Sequence, residues 1–419
     1  MNRNILSLLT VVVFISSCSI THSLQKNASA NLTGQPCLQH AYVGICIYDP
    51  VHNKYIYEHD ADKYFTPASN TKLYTFYTGL NYIGDSTTGI QYQVQNDTLF
   101  IRGTGDPSLL QSEFGEQSAF DFLRNTNLPI VFTNPVYENE IFGPGWAWDD
   151  YNADYQPERS AMPLYSNLAR FSVKDHHIQV MPEWFAKNNR LLLDTSMHVH
   201  TFYVHREKDK NLFRYNIGIE NSSETQEVPF IVHDGAITAD LLQDTLHKPV
   251  YYEPGKQLTG SWNSVRNVPL DSLFKHMLYR SDNFYAEQTD QMASMKLFDT
   301  ISTYKVIHFM LQNKLKDLPD PPKWVDGSGL SRFNLFTPRD MVTILGKLSA
   351  EYPQARIDSL LPTGGKGTLF YLYHDMSGYI FAKTGSLNND VALSGYLTTK
   401  KGTHYIFSIL INHCVCPLR

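Results

Sequence analysis

The 419-residue sequence has little net charge and no apolar run long enough to span a membrane, and each lack excludes a class of protein. A net charge of -6 leaves no basic excess for the phosphate backbone of nucleic acid, so no nucleic-acid partner is expected. The apolar run at residues 5–15 is too short for a spanning helix. The remaining composition, with 13% aromatic residues, is typical of a globular chain rich in strands.

The N-terminus has the pattern of an export signal. Its short apolar run ends in Ile15-Ser16-Ser17-Cys18, which resembles the lipobox of bacterial lipoproteins. The resemblance implies that residues 1–18 form a signal peptide, that Cys18 carries a lipid anchor to a membrane, and that residues 19–36 are a tether. Ser19 then implies a periplasmic lipoprotein of the outer membrane. An ordinary secretory signal that is cut nearby is the alternative.

The other cysteines and the histidines show no metal-binding spacing, and no metal or cofactor is expected. An exported protein can form disulfides, and three pairings are open to the four remaining cysteines: Cys37, Cys46, Cys414 and Cys416. Cys46 and Cys414 lie in strand-like runs, where a free buried thiol is the commoner outcome. His198 and His200 could share one face of a strand, but solvent-facing side chains are the more common case there.

Strand-like segments at both ends of the chain predict an α+β fold. Tyr42–Tyr48 and Tyr55–Tyr57 predict a hairpin, and the last three strands are expected within residues 379–412. With helices between them, these strands predict one antiparallel sheet built from both chain ends. The catalytic domain is therefore expected at 37–90 and 260–419. Residues 91–259, with weak helical signal before Thr238, predict a mostly-β insertion of one or two subdomains.

A serine and a lysine three positions apart mark the expected start of a helix. Ser69 and Lys72 follow Pro67, and helical apolar spacing then continues to Gly84. On one helix face the hydroxyl and the amine would lie roughly 5–6 Å apart at Cβ. The pattern also occurs elsewhere in the sequence, at Ser23–Lys26, Ser272–Lys275 and Ser302–Lys305. Only the pair at Ser69 is followed in order by two further triplets.

These triplets complete a known set of motifs. They are Ser281-Asp282-Asn283, between two helical segments, and Lys383-Thr384-Gly385, at the end of a strand. Together with Ser-x-x-Lys they are the signature of penicillin-binding proteins and class A β-lactamases. A penicillin-binding, serine β-lactamase-like transpeptidase domain with a large insertion is therefore expected. Each triplet alone would be weak evidence, whereas all three in order are strong.

Acyl transfer assigns a role to each residue type in the three motifs. Ser69 is the nucleophile, and Lys72 is its base if the pKa of the amine falls well below about 10.4. Ser281 relays a proton to the leaving nitrogen, and Asn283 holds Lys72 and the substrate. The other roles belong to the last motif. Lys383 adds positive charge and, with Thr384, binds a terminal carboxylate. Gly385 lets the substrate lie along the strand. The N–H groups of Ser69 and Ser386 form the oxyanion hole.

The whole chain after the signal resembles the D-alanyl-D-alanine carboxypeptidase/endopeptidase family, the class C low-molecular-mass penicillin-binding proteins (peptidase family S13). Beyond the triplets, the resemblance rests on Gly103–Pro107, Gly143-Pro-Gly-Trp146, Asp326–Arg332, Leu361–Gly365 and Gly367–Leu369. The long insertion between the first two motifs is also a mark of that family.

The resemblance implies hydrolysis of the terminal D-Ala-D-Ala bond of peptidoglycan peptides, or of their cross-links, and covalent acylation by β-lactam antibiotics. It implies that Asp150, or less plainly Asp149, meets the free amine of the substrate side chain. Arg332 matches an arginine near the family's substrate site. Family members usually end in a helix that packs on the sheet, and residues 412–419 are too few for it. Either the chain is truncated, or a neighbouring element is expected to cover that sheet face, since an uncovered apolar face would reduce stability.

Two other functions remain open from the sequence. The first is a β-lactamase or esterase on the same scaffold, although the Glu-x-x-Leu-Asn segment of class A enzymes and a Gly-x-Ser-x-Gly elbow are both absent from the sequence. The second is a non-catalytic, penicillin-binding sensor of the cell wall. The intact set of motif residues favours an enzyme.

Overall fold

A computed structural model describes residues 23, 26–28, 30, 34–115, 117–218, 225–232, 235–256 and 258–415. The predicted signal peptide with Cys18, and also Cys416, lie outside the described residues. Among the residues it describes, no helix has both the length and the apolar character needed to cross a membrane.

The helices and strands in these ranges alternate unevenly along the chain. The helices are α1 (Lys72–Tyr82), α2 (Ser118–Asn125), α3 (Trp184–Lys187), α4 (Ala236–Leu246), α5 (Leu270–Tyr279), α6 (Asn283–Phe298), α7 (Thr303–Gln312), α8 (Pro338–Glu351) and α9 (Gln354–Leu360). The strands are β1 (Tyr42–Asp49), β2 (Lys54–His59), β3 (Ser86–Gln95), β4 (Thr98–Gly103), β5 (Ile130–Phe132), β6 (Val136–Tyr137), β7 (Leu168–Lys174), β8 (His177–Met181), β9 (Leu191–Leu193), β10 (Tyr203–Arg206), β11 (Phe213–Asn216), β12 (Thr225–Pro229), β13 (Val250–Tyr252), β14 (Asn263–Pro269), β15 (Thr300–Ile301), β16 (Ile380–Leu387), β17 (Asp390–Thr398) and β18 (His404–Asn412).

The first of two compact units contains the described residues of 1–73, 317–324 and 332–419. Its sheet has the order β16-β17-β18-β1-β2, and every neighbouring pair is antiparallel. Tyr396 on β17 donates from its hydroxyl to the Leu345 carbonyl of α8 at 2.8 Å, which fixes that helix on one face. The prediction of an α+β fold, with one antiparallel sheet drawn from both chain ends, is confirmed.

Local sequence explains why α8 starts where it does. Thr337 accepts from the backbone N–H of Asp340, and the Asp340 carboxylate accepts from that of Thr337, so the two residues form a capping box. Pro338 occupies the first helical position, where its missing N–H removes no intrahelical bond. Cys46 and Cys414 are buried in this unit, and Cys37 is exposed.

The second unit contains the described residues of 74–316 and 325–331. It holds a five-stranded sheet, β13-β5-β4-β3-β14, and two three-stranded sheets, β12-β7-β8 and β10-β11-β9. Their apolar faces share one core, in which Phe132, Phe171 and Phe213 are almost fully buried. The predicted insertion, residues 91–259, falls within this unit, and its boundaries stay a prediction.

Two short helices, α2 and α3, lie in the region before Thr238 where the sequence has only weak helical signal. Helix α2 has only two fully buried positions, Ala119 and Leu123, which are four residues apart. A single i, i+4 pair packs one turn against the core but leaves too short a periodic pattern to predict a helix from sequence. Helix α3 is one turn long and buries Phe185.

Candidate active site

Ser69 lies in a tight turn that leads directly into α1. The turn is a short 3-10 helix, Ala68–Thr71, and α1 begins at Lys72. Nζ of Lys72 is 3.0 Å from Oγ of Ser69, within hydrogen-bond distance. Lys72 is fully buried, whereas Ser69 is half-buried. Ala68 has a φ of 48°, a left-handed backbone conformation that persists only where its surroundings enforce it. The turn thus holds a reachable hydroxyl against a buried amine.

The strand β16 lies against this turn because Asn70 bonds to it and Gly385 has no side chain to keep the two backbones apart. Asn70, which is fully buried, donates from Nδ2 to the carbonyl of Lys383 at 3.0 Å. A Cβ on Gly385 would lie 2.7 Å from the Pro67 carbonyl and 3.0 Å from the Ser69 nitrogen. Only glycine fits at that distance without moving backbone. The Lys383 triplet is therefore fixed beside Ser69.

Lys383 shares the buried amine site with Lys72. Both side chains are fully buried, and Lys383 donates from Nζ to the Thr384 carbonyl at 2.7 Å. Burial, and then repulsion from the Lys72 ammonium, hold the pKa of Lys383 well below its ordinary value. Repulsion between like charges is mutual, so the pair favours a state in which one amine is neutral. The amine within reach of the Ser69 hydroxyl is that of Lys72, and general-base activation requires this amine to be the neutral one of the pair.

The rest of the predicted binding set in this unit lies in the second half of β16 and at the turn that follows it. Thr384 is half-buried and Ser386 is exposed. Arg332 forms an ion pair from Nη1 to Oδ2 of the buried Asp390 at 2.8 Å and donates from Nη2 to the Asn388 carbonyl at 3.1 Å. Arg332 therefore stabilises the β16–β17 turn, and half of its side chain stays exposed.

Asn412 is a site residue that sequence reasoning missed. It ends β18 and is buried, and its amide accepts from the Thr66 N–H at 2.7 Å and donates to the Thr66 carbonyl at 3.0 Å. This double contact fixes the chain just before Ser69. The signal was a polar residue at the end of an apolar strand, but its partner is too distant in sequence to identify.

The second motif lies in the second unit, between α5 and α6. Ser281 has a φ of 60°, another left-handed conformation on a residue other than glycine. Asp282 caps α6 by accepting from the Tyr285 N–H at 2.9 Å. Asn283 is the first residue of that helix, and its Nδ2 donates to the Tyr155 carbonyl at 3.1 Å. The cap at Asp282 and the left-handed backbone at Ser281 together fix the orientation of this loop relative to α6.

Asn283 thereby connects to the acidic loop that the sequence singled out. Asp149 is exposed, whereas Asp150 is half-buried in the short 3-10 helix Trp148–Asn152. Burial, and then a hydrogen bond with the Asp150 carboxylate, raise the pKa of Tyr155 to about 12. Asp150 is thus the better placed of the two carboxylates to share a site with Asn283. Tyr155, which contacts both residues, belongs to the same site and was missed by sequence reasoning.

The two tryptophans of this loop have different environments. Trp148 is 72% exposed, whereas Trp146 donates from Nε1 to the buried carboxylate of Asp326 at 2.9 Å. Ser331 donates from its hydroxyl to the Pro144 carbonyl at 2.6 Å, which fixes the same loop a second time. Trp146 is therefore an anchor, and Trp148 a surface residue.

Behind the anchor lies a buried group of charged residues. Glu287, Asp290 and Asp326 are almost fully buried, and Arg159 forms an ion pair with Glu287 at 3.1 Å. Arg159 also donates to the Glu140 and Phe142 carbonyls just before the Gly-Pro-Gly-Trp segment. Burial, and then repulsion from Glu287 and Asp326, raise the pKa of Asp290 well above its ordinary value. This group joins α6 to the acidic loop.

The structure thus forms two sets of predicted site residues, one in each unit. Ser69 and Lys72 come together with Lys383 in the first, and Ser281 and Asn283 with the Asp150 segment in the second. The sequence matches the D-Ala-D-Ala carboxypeptidase 3 (S13) family over residues 24–416, which is most of the chain. The chain belongs to this family. The predicted family and the predicted class, a serine-type D-Ala-D-Ala carboxypeptidase, are confirmed.

Relatives of this S13 carboxypeptidase span most of the chain. D-alanyl-D-alanine carboxypeptidase DacB of Haemophilus influenzae is 22% identical over 94% of this chain and 90% of its own length. The D-alanyl-D-alanine carboxypeptidase of Actinomadura sp. strain R39 is 24% identical over 90% of this chain and 79% of its own. The crystal structure of penicillin binding protein 4 from H. influenzae superposes with a TM-score of 0.70, at 19% identity, and covers 91% of this chain and 93% of its own. That likeness confirms the fold.

Proposed function

We propose that the protein hydrolyses the terminal D-Ala-D-Ala bond of peptidoglycan stem peptides, and the peptide cross-links between them, through an acyl-enzyme on Ser69. The observation that carries the proposal is the 3.0 Å separation of Ser69 Oγ and Lys72 Nζ, beside a second buried lysine. Membership of the S13 family and the names of the relatives support the substrate.

Acylation begins at the buried amines. Lys72 takes the Ser69 proton as Oγ attacks the carbonyl carbon of the scissile bond, and the N–H groups of Ser69 and Ser386 hold the oxyanion. Ser281 passes the proton to the leaving nitrogen, so the D-amino acid or the second peptide leaves as an amine. Water then adds to the ester, and the same groups in reverse release the carboxylic acid and regenerate Ser69.

The last strand orients the substrate. β16 is at one end of its sheet. Pro362 and Thr363 pair with the start of its outer edge, at Ala382 and Phe381, and a peptide can add as a strand along the part beyond them. Lys383 and Thr384 bind the terminal carboxylate, and Gly385 lets the peptide lie close to Ser69. Asn283 holds the peptide amide, and Asp150 binds the free amine of the side chain. Arg332 acts through the turn that it braces.

Covalent labelling with a fluorescent penicillin tests the acyl-enzyme. Wild type should be labelled on Ser69, and Ser69→Ala should lose the label while keeping its fold. Ser272→Ala, at another Ser-x-x-Lys pattern of this chain, is the matched control and should be labelled like wild type. An unlabelled wild type would refute the proposal. A label that disappears within seconds would instead favour a β-lactamase.

Product masses test the substrate. A defined digest should yield stem peptides that have lost one D-alanine, and cross-linked dimers should yield monomers. Labelled wild type that releases neither product would favour the non-catalytic sensor. The two products would also show which activity is faster.

We infer further that the enzyme is exported and that lipid on Cys18 anchors it to the outer membrane. The lipobox-like Ile15–Cys18 supports this inference, as does a cell-wall substrate that lies outside the cytoplasm. Incorporation of a labelled fatty acid into wild type but not into Cys18→Ser would test it. Equal labelling of both proteins, or of neither, would contradict it.

A further inference from the structure

The densest group of exposed apolar side chains in the described residues lies in the first unit, just before β16. Six of the ten residues at 370–379 are large, apolar and exposed: Phe370, Tyr371, Leu372, Tyr373, Met376 and Tyr379. Elsewhere in the described ranges, no stretch of ten residues holds more than two. Single exposed apolar side chains are ordinary, whereas a close-set group marks a surface that binds a partner or ligand. We call residues 362–379 the aromatic loop.

The aromatic loop has a defined backbone of its own. The Gly365 N–H donates to the carbonyls of Leu369 and Leu372, both at 3.1 Å. A Cβ on Gly364 would overlap the Tyr373 carbonyl oxygen, so two parts of the loop approach more closely than a side chain there would allow. Tyr373 has a φ of 55°, a left-handed conformation that only its surroundings can enforce. The exposed rings therefore project from an ordered loop.

The aromatic loop is continuous with the strand along which the substrate peptide is proposed to add. The Pro362 carbonyl accepts from the Ala382 N–H at 2.9 Å, and Ala382 directly precedes Lys383. Leu369 is fully buried and packs in one apolar cluster with Ala382. The loop, β16 and Ser69 all belong to the first unit, so their arrangement does not depend on the second. A substrate that extends beyond the peptide held at β16 would reach this loop.

The charge of the aromatic loop argues against two kinds of occupant. Lys366 and Asp375 are the only formally charged residues in its sequence, so its net charge is zero. A stem peptide with several carboxylates would find a single cation there. A membrane surface with anionic lipids attracts clusters of lysine or arginine, which the loop lacks. The surface therefore suits an uncharged occupant.

The exposed side chains match the faces of sugar rings. A pyranose has an apolar face of C–H groups and a rim of hydroxyl groups, and tyrosine has an apolar ring with a hydroxyl at its edge. Aromatic side chains also lose little conformational entropy when they bind. The rings of Phe370 and Tyr371 meet edge to face with their centroids 4.9 Å apart, so each supports the other. Tyr371 is 86% exposed and is the most accessible ring of the loop.

We propose that the aromatic loop binds the glycan strand of peptidoglycan, with Phe370 and Tyr371 stacked on its sugar rings. The inference rests on the proposed function, because the substrate peptide is what brings a glycan strand to this unit. Each stem peptide is joined to its glycan strand through an amide, so the sugar at the junction carries no carboxylate charge. The loop is then a specificity site for peptides that are still attached to glycan.

Binding of a sugar chain tests this inference without turnover. A hexasaccharide of N-acetylglucosamine, which is uncharged and carries no peptide, is titrated into the protein by calorimetry. Wild type should bind it, and Tyr371→Trp should match wild type within about twofold because it keeps an aromatic face. The double variant Phe370→Ser/Tyr371→Ser should bind about tenfold more weakly, the size expected from two lost ring contacts. Tyr304→Ser, at a tyrosine of α7 that is 75% exposed in the second unit, is the matched control and should bind like wild type.

Hydrolysis gives a second readout that separates the polymer from the peptide. At substrate concentrations below saturation, the double variant should release D-alanine from intact peptidoglycan about tenfold more slowly than wild type. Its rates with a free pentapeptide and with penicillin should stay within about twofold. An unchanged rate of penicillin acylation would also show that the variant is folded.

Three results would overturn the inference and leave the proposed function standing. The first is a wild type that penicillin acylates but that does not bind the hexasaccharide. The second is equal affinity for the hexasaccharide in wild type and the double variant. The third is a requirement for Phe370 and Tyr371 in binding to vesicles of anionic phospholipid, or in dimerisation during sedimentation, in place of sugar binding. A wild type that binds the hexasaccharide but that penicillin does not acylate would instead overturn the proposed function.

Discussion

Each of the two units buries a group of side chains that carry the same charge. The group is basic in the first unit and acidic in the second, and the two groups have different roles. In the first unit Lys72 and Lys383 are fully buried beside Ser69. In the second, Glu287, Asp290 and Asp326 are buried behind the acidic loop with Arg159 as a counter-ion. Desolvation and repulsion act on both groups and shift the pKa towards the neutral form, downward for Lys383 and upward for Asp290.

The difference lies in what surrounds the charges. Lys72 faces a hydroxyl that can react, so its amine acts as a base when Lys383 carries the charge of the pair. Two of the three carboxylates face backbone and indole donors: Glu287 accepts from the Ser328 N–H at 2.8 Å, and Asp326 accepts from the Gly329 and Ser331 N–H groups and from the Trp146 indole. The same physics therefore supplies chemistry in one unit and rigidity in the other.

Lys72→Met should have the largest effect, because it removes the base and keeps the length of the side chain. The rate of acylation by penicillin should fall by roughly 10²–10⁴, the usual contribution of general-base catalysis. Stopped-flow fluorescence would measure it. Lys275→Met, at the Ser272 pattern, is the control and should react like wild type. A fall of less than tenfold in Lys72→Met would show that another group takes the serine proton.

Arg159→Met should disrupt the buried carboxylate group and thereby lower the stability of the protein. It leaves Glu287 buried without its cation, which should lower the free energy of unfolding by about 3–5 kcal/mol in urea denaturation. Arg170→Met removes an exposed ion pair in the same unit and should lower it by less than about 1 kcal/mol. Adding Glu287→Gln to Arg159→Met should restore part of the loss, because the unpaired charge is gone. Equal losses in the two single variants would refute the comparison.

The two groups should also give stability opposite pH dependences. With its pKa raised, Asp290 holds a proton in the folded state that the unfolded chain has lost above about pH 4, so stability falls as pH rises from there to the raised pKa. With its pKa lowered, Lys383 releases a proton early, so stability rises with pH between the lowered pKa and about 10.5.

Single substitutions separate these two slopes. Asp290→Asn should remove the fall of stability with pH, and Lys383→Met should remove the rise. Each slope is at most about 1.4 kcal/mol per pH unit. Urea denaturation from pH 4 to 10 would measure both. Stability curves of the two variants that run parallel to wild type would contradict the proposed protonation states.

Sequence predicted the structure best where local patterns determine it. The hairpin predicted at Tyr42–Tyr48 and Tyr55–Tyr57 is present as β1 and β2, because strand-favouring residues and the turn between them are adjacent in the chain. The catalytic set could be listed from motifs, since acyl transfer limits which residue types can serve. Helix α2 could not be predicted, because a single buried i, i+4 pair carries too little pattern.

Contacts between distant parts of the chain could not be predicted at all. The indole contact of Trp146 with Asp326, which sets it apart from the exposed Trp148 in the same loop, cannot be read from the sequence. Arg159 and Glu287 are likewise ordinary charged residues until the fold pairs them. Asn70 stood inside the first motif without a role until its bond to the Lys383 carbonyl gave it one. Each of these residues depends on a partner more than a hundred positions away.

The smallest effect is expected at Arg332. Unlike the buried lysines and the buried carboxylates, this charged residue is half exposed, although it forms an ion pair. Arg332→Met removes its contacts with the buried Asp390 and with Asn388, and should lower the free energy of unfolding by about 1–2 kcal/mol. This loss is smaller than that of Arg159→Met because half of the Arg332 side chain is exposed and Asp390 also accepts from the His413 N–H. Since those contacts hold the turn after Ser386, acylation should slow by only a few-fold, with Arg332→Lys in between. A loss of acylation as large as that of Lys72→Met would mean that Arg332 binds the substrate directly, and that an exposed cation in this unit contributes as much as a buried one.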